Sequence, residues 1–177
     1  MLTEERRLFI RELASDDFES VVDYFLNADE SYLYRMGVDV NKLPKRNEWL
    51  TLLREEFDLP IREKKFYYLI WLFNDVPLGH SNINRIVFGE EAYMHLHMWS
   101  VDARRKGLGA EFIKLCIPQY FDKFHLKRLY CAPNAMNPAP NRTLEKLGFE
   151  FIKQYTTTPG WINYYQPVNL WCLHRLL

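Results

Sequence analysis

Val101-Asp102-Ala103-Arg104-Arg105-Lys106-Gly107-Leu108-Gly109 lies past the middle of the chain and reads as a strand end, a glycine-bearing loop and a helix start. Without a Cβ at Gly107 and Gly109 the backbone can approach an anion closely, and the first-turn N–H groups of a helix supply unpaired donors. A basic run is usually a solvated face and two nearby glycines usually make a turn, so the stretch takes its meaning from its neighbours. Ala92 to Val101 reads as a strand, and Leu108, Phe112, Leu115 and Cys116 follow at helical spacing. Such a strand, loop and helix suit a diphosphate. The Gly-Lys-Ser/Thr ending of a hydrolysis loop is missing, and no third glycine follows Gly109 at the dinucleotide spacing.

Working outward, Phe66 to Phe73, Leu78 to Val87 and Ala92 to Val101 are separated by Asn74-Asp75 and Gly89-Glu90, the pattern of an antiparallel meander. Arg6 to Leu13 forms a first strand in this reading. Asp16 and Glu19, at capping-box spacing, open a helix carrying Phe18, Val21, Val22, Phe25 and Leu26. Asn47 caps a second helix with Trp49, Leu50, Leu53 and Phe57, which ends before Pro60, and Tyr32 to Pro44 between them reads as irregular. After the glycine loop, Pro118 is expected to end or kink the helix. Arg128 to Ala132 is a short strand, Pro138 or Pro140 opens a helix capped by Gly148, and Phe149 to Thr156 and Val168 to Leu176 are closing strands.

A chain of 177 residues, 48% hydrophobic and 16% aromatic, is expected to form a single domain over 1–177. With 23 basic and 23 acidic residues there is no overall pull toward nucleic acid or membrane. Cys116, Cys131 and Cys172 lie in apolar surroundings without CxxC spacing, which favours buried thiols over disulfides or zinc. No apolar stretch of membrane-spanning length and no signal-peptide pattern occurs, so a cytoplasmic protein is expected, with monomer and homodimer both open.

The order of elements and two motifs together resemble the GNAT N-acetyltransferases, over nearly the whole chain. Arg104-Arg105-Lys106-Gly107-Leu108-Gly109-Ala110 looks like that family's pyrophosphate loop, Arg/Gln-x-x-Gly-x-Gly/Ala. Asn137-Pro138-Ala139-Pro140-Asn141-Arg142-Thr143-Leu144-Glu145-Lys146-Leu147-Gly148-Phe149 is similar to the ending found in its ribosomal-protein N-terminal (RimJ/RimL-like) branch. The resemblance implies an α/β (α+β) fold, a mixed and mostly antiparallel sheet of six to seven strands with helices on both faces. It implies acetyl-coenzyme A as donor and an amine as acceptor, joined in a ternary complex. Trp99, Ser100, Val101 and Arg104 to Ala110 would then meet the donor, with a backbone N–H near Trp99 polarising the thioester. Asn137, and with it Asn141, would reach the pantetheine arm, a helix cap being the other reading of each and a stronger one for Asn141.

An alkyl amine with a pKa of about 10.4 is almost wholly protonated at pH 7, so attack on a thioester needs a group or water chain to take its proton. Tyr93, His95, His97 and Trp99 alternate along the predicted strand and share one face. In similar enzymes this strand carries a glutamate or a pair of histidines as base. Here Tyr93 stands at the glutamate position, and His95-Leu96-His97 falls two residues later than the histidine pair. His95 and His97 are the candidate bases and Glu91 a reserve. His80, Asn82 and Asn84 on the neighbouring strand read as a polar wall or a solvated face. Many relatives carry a proton-donating tyrosine where this chain has Leu144, so that either another group, such as Tyr164 or Tyr165, is the acid or the thiolate leaves with a proton from the amine or water. Trp161, Tyr32 and Tyr34 could complete an aromatic acceptor wall. No carboxylate or cysteine completes the His95/His97 pair at a usual metal spacing. A peptide N-terminus and small amines (polyamines, amino sugars, siderophore-type substrates) both remain open as acceptors, as does a catalytically silent acyl-CoA sensor.

Overall fold

Asn74 and Asp75 both adopt left-handed φ values, 47° and 65°, and so make the tight turn that their residue types favour. In the computed structural model, which describes residues 7–104 and 106–175, this turn joins β2 (Phe66–Phe73) to β3 (Val76–Val87). β4 (Glu91–Met98) completes the meander, with β1 (Leu8–Glu12) antiparallel on the far side of β2. β5 (Arg128–Cys131), β6 (Glu150–Thr157) and β7 (Gln166–His174) extend the sheet, whose order is β1-β2-β3-β4-β5-β7-β6. Only the β4–β5 pair is parallel; the other neighbours are antiparallel.

Alternation sends β2 and β4 side chains to two cores. Tyr67, Leu69, Trp71, Ala92 and Met94 pack with Leu108, Phe112, Ile113, Cys116 and Tyr120 of α4 (Leu108–Lys123), and Leu144 of α5 (Pro138–Lys146) joins them. On the opposite face, Phe66 and Tyr68 meet a cluster built by α1 (Phe18–Leu26), α2 (Glu30–Arg35) and α3 (Arg46–Phe57). Helices therefore cover both faces, as the resemblance implies.

The structure corrects several local expectations. α2 begins at Glu30 and runs through Arg35 into the segment read as irregular, capped by the Asp29 carboxylate on the Ser31 N–H. Asn47 does not cap α3; the N-cap is Lys45, two residues earlier, and Glu48 accepts from the Lys45 N–H. The carboxylate that serves the start of α1 is the buried Asp17, which takes the Ala14 N–H and the Arg11 guanidinium, while Asp16 is exposed. Pro118 neither ends α4 nor marks its boundary. The donor it lacks would serve the carbonyl of Lys114, and both residues are exposed, so water can take that carbonyl while Phe112, Cys116 and Tyr120 hold the buried stripe.

One staple shapes the sheet face beside α1–α3. The β6–β7 connection folds onto the segment after α2, where the Gly37 carbonyl accepts from Asn163 Nδ2 at 2.8 Å, Gln166 Nε2 at 2.7 Å and the Tyr164 N–H at 3.3 Å. Asp39 N–H donates to Ile162 O, and Val38 bridges Asn163. Gly37 has φ +83°, and a Cβ there would land inside the Gln166 carboxamide. Gly37→Ala is therefore expected to cost about 2–4 kcal/mol by combining left-handed strain with a broken buried network. Urea denaturation checks this, and an unchanged midpoint would show that the staple does not hold the connection.

Candidate active site

The register of β3 on β4 sets Asn84 opposite Tyr93, Asn82 opposite His95 and His80 opposite His97. All six share the face on which Tyr24 and Phe25 of α1 close over His97, at 5.3 and 5.2 Å between ring centroids. His80 is buried, its ring centroid lies 4.8 Å from that of His97, and its Nδ1 accepts from Trp99 Nε1 at 2.8 Å. An indole N–H can only donate, so His80 Nδ1 carries no proton. His95 Nε2 lies 3.1 Å from Asn84 Oδ1, an acceptor, which places the proton on Nε2 and leaves the Nδ1 lone pair as the base. His97 is half-buried, with its Nδ1 sealed from solvent and without a hydrogen-bond partner.

Burial lowers the pKa of every imidazole in this row. His80 falls to about 3, with His95 adding to the effect, and His95 falls to about 4, helped by the nearby Arg85 guanidinium. His97 lies well below the ordinary 6.5 because of burial and its two histidine neighbours. All are neutral at pH 7 and can accept a proton. Among the described residues, no cluster of three or more histidine, cysteine or acidic side chains is placed to hold a metal ion.

On the other side of β4 the sheet opens. β4 pairs with β5 only at Glu91, Ala92 and Tyr93, so the edge from Met94 to Met98 faces no strand there. At the end of that edge Gly107, with φ +77°, is the N-cap of α4, and a Cβ added at Gly107 or Gly109 would touch nothing within 4 Å. Leu108 is buried and anchors the helix, while Lys106 and Val101 are exposed beside the opening. The side chain of Asn137, at the N-cap of α5, makes no capping bond. The open edge, the glycine loop and Asn137 fit a long thiol ester with a diphosphate at its far end: one strand edge for the amides of the arm, one helix start for the anion. Arg105 lies outside the described residues.

Several expected site residues have other duties. Trp99 N–H donates to Leu78 O at 2.8 Å and Ser100 N–H to the same carbonyl at 3.3 Å, so neither is free to polarise a thioester. By strand alternation the groups facing the opening belong to Met94, Leu96 and Met98. The Arg104 guanidinium is not directed at an anion; it binds Met98 O through Nε and Nη2 at 3.2 and 3.1 Å and lies 3.9 Å over the Tyr32 ring. Asn141 is saturated, donating to Asn134 O and Asn137 O while its Oδ1 accepts from Asn169 Nδ2 and Trp171 Nε1. Glu91 is paired with Arg128 at 2.9 Å and sits six positions before His97, ~20 Å along the strand. The Tyr164 hydroxyl donates to Tyr34 O at 2.8 Å and accepts from Asn134, while its ring stacks on Tyr34, so it staples the wall and is not a free acid. Trp161 packs edge-on against Trp49, Tyr165 is 71% exposed, and Tyr32 bonds Tyr24. Tyr24 and Arg85 carry no motif and become visible only in the structure, Tyr24 through its ring contacts with His80 and His97 and Arg85 through its charge near His95.

Residues 7–150 match the family model described as Acetyltransferase (GNAT) domain. No curated protein matches the sequence. Among solved structures, RimL, a ribosomal alpha-N-protein acetyltransferase in complex with coenzyme A, shares 14% identity at a TM-score of 0.76, over 94% of this chain and 93% of its own. A spermidine N-acetyltransferase from Vibrio cholerae in complex with coenzyme A and spermine shares 16% at 0.77, over 94% and 95%. An aminoglycoside acetyltransferase in complex with coenzyme A and kanamycin shares 14% at 0.72, over 96% and 95%.

The histidine row has a consequence for stability. The unfolded chain takes up protons near the ordinary pKa of 6.5 that the folded chain refuses until about 4 at His95 and about 3 at His80. The stability these neutral rings carry is complete above pH 6.5 and is lost as the pH falls through that window. Thermal melts between pH 7.5 and pH 4.5 are expected to fall steadily below about 6.5. His95→Gln should flatten that slope; an identical slope in the variant would mean that His95 is solvated.

Proposed function

The chain belongs to the GNAT acetyltransferase family, and from that premise we propose that it acetylates the α-amine of a peptide N-terminus, with His95 as the base. The observation that carries the base assignment is the Asn84–His95 hydrogen bond, which orients the ring and fixes its tautomer. When bound, acetyl-coenzyme A supplies the thioester acetyl group. Gly107, Gly109 and the first turn of α4 hold the diphosphate, and the Asn137 carboxamide and the open β4 edge receive the pantetheine amides. As the amine nitrogen bonds to the acetyl carbon and the C–S bond breaks, His95 Nδ1 takes the amine proton and coenzyme A leaves as a thiolate that takes its proton from water, while Tyr24, Phe25 and Trp99 keep bulk water from the strand end.

The acidity of the acceptor's own ammonium group separates the acceptors, whatever the base. Moving a proton to a group with a pKa of about 4 is less uphill from an α-amine, about 7.7–8.0, than from a polyamine nitrogen near 10.4. The difference of about 2.5 units is worth roughly 3.4 kcal/mol. At pH 7.5 a sizeable share of α-amines is already unprotonated, and a weak base suffices to take the proton that attack releases. These properties support assignment to the ribosomal-protein N-terminal branch.

For donor binding, Gly107→Glu is expected to abolish acetyl-coenzyme A affinity in calorimetry while leaving the fold intact. Asn137→Ala should weaken binding about tenfold, the value of one lost hydrogen bond, without moving the melting temperature. Asn141→Ala should do the reverse, lowering the melting temperature with donor affinity preserved. Interchanged behaviour of the two asparagines would refute the site as drawn.

For catalysis, His95→Gln should lower kcat by about 10²-fold or more with unchanged donor affinity. Between pH 6 and 9, kcat/KM for a peptide should follow acceptor deprotonation, rising to a plateau above about pH 8. An inflection near 6.5 that disappears in His95→Gln would show a solvated imidazole in place of the buried neutral one.

A further inference from the structure

Beside the Asn84–His95 pair the register of β3 on β4 breaks: Asn84 opposes Tyr93, but Val87 opposes Glu91, leaving an extra residue on β3. Bulges of this kind re-aim side chains beside active sites. Arg85 sits in this one with φ +47°, a conformation uncommon for a non-glycine residue. The kink carries its guanidinium over the Tyr93 ring, 5.2 Å from the centroid, and Nη2 donates to Pro159 O at 2.6 Å in the β6–β7 connection. Arg85 thus bridges the floor of the acceptor face and its wall. It is exposed, no carboxylate pairs with it among the described residues, and Pro159 takes one of its donors.

The charge around the base is therefore one-sided. Among the described residues, the formal charge that acts on this row is the Arg85 cation, which lowers the basicity of His95. Glu91, further back along β4, is already held by Arg128. A polyamine or amino sugar brings two or more ammonium groups and would meet an unpaired guanidinium with no acid to receive them. An acceptor with a carboxylate would meet a planar fork with free donors, suited to two parallel hydrogen bonds. Arg85 lies over Tyr93, two residues from His95 and so ~7 Å along the strand, which corresponds to the side chain of the second or third residue of an extended peptide whose amine is at His95.

Resting on the acetyl-transfer reading above, we propose that Arg85 is a specificity-determining residue that receives a carboxylate from the second or third residue of the acceptor peptide, selecting acidic N-termini and turning away polycations. The test measures thiol release from acetyl-coenzyme A by the full chain with three peptides that differ only at positions two and three, carrying acidic, alanine or lysine residues, and with spermidine. The wild-type protein should prefer the acidic peptide to the alanine peptide by tenfold or more in kcat/KM, chiefly through KM. Arg85→Ala should level the two peptides with little change for the alanine peptide, Arg85→Lys should retain much of the preference, and Arg85→Glu should reverse it toward the lysine peptide. Melting temperatures of the variants separate this effect from a disturbed bulge, since a merely structural role would lower turnover on every peptide alike. Turnover with no charge preference, a preference that survives Arg85→Ala, or spermidine as the favoured acceptor would overturn this inference alone. No thiol release with any amine would overturn the transferase reading and this inference with it.

Discussion

The divergence of β4 from β5 is the constraint on which the rest depends. A parallel pair needs a crossover, here through α4, and that crossover sets the N-terminus of α4 beside the C-terminal end of β4. Pairing then stops after Tyr93 because the chain beyond β5 is drawn toward β7. Asn134 bridges Val168, Ala135 N–H donates to Pro167 O and Asn169 N–H to Pro133 O, while Pro133 itself has no donor to offer. The result is a strand with a free edge that runs into an uncapped helix start. Both halves of a donor site, amide-binding edge and anion-binding turn, follow from one failure to pair.

The acceptor side depends on the opposite property, close covering. α1 lays Tyr24 and Phe25 against His97, α2 sends Tyr32 to Tyr24 and to Arg104, and Arg104 in turn holds Met98 O. One chain of contacts therefore joins the helix that walls the acceptor face to the strand end that leads into the donor loop. The Gly37 staple adds the β6–β7 connection to the same wall. With rings on nearly every side, the imidazoles lose hydration and become neutral, which makes them acceptors of protons and poor holders of ammonium ions.

How much of this was legible in the sequence follows the range of the forces involved. The meander, the glycine loop and the helix ending at Gly148 rest on local rules, alternation, turn chemistry and a left-handed cap, and the structure has them nearly where the sequence puts them. α2 escapes the sequence pattern because it is six residues long and has a single buried apolar anchor, Leu33, which joins a cluster assembled from α1, Val38 and α3. α4 runs on through Pro118 because tertiary burial of one stripe outweighs a single lost hydrogen bond on the solvent side. At the site, residue types were readable and saturation was not. Asn141 and Trp99 look like available donors in the sequence, and their bonds to Asn134, Trp171 and Leu78 appear only when the sheet closes.

The proposed reaction also explains why a neutral row with a lone guanidinium suits this face better than a carboxylate would. A carboxylate would bind the protonated acceptor well, and binding the unreactive ammonium form stabilises the ground state without lowering the barrier. A neutral imidazole gives that form no charge to lean on. The Arg85 cation stands over Tyr93, ~7 Å further along the strand, where it meets the side chains of the acceptor and leaves the amine to the neutral row. A weak base then needs only to collect the proton that bond formation makes acidic, and its low affinity for that proton lets it be returned to solvent quickly. The neutral row thus keeps a reactive amine in a place where an ammonium ion is unwelcome, and the unpaired charge of the bulge sorts the peptides that carry it.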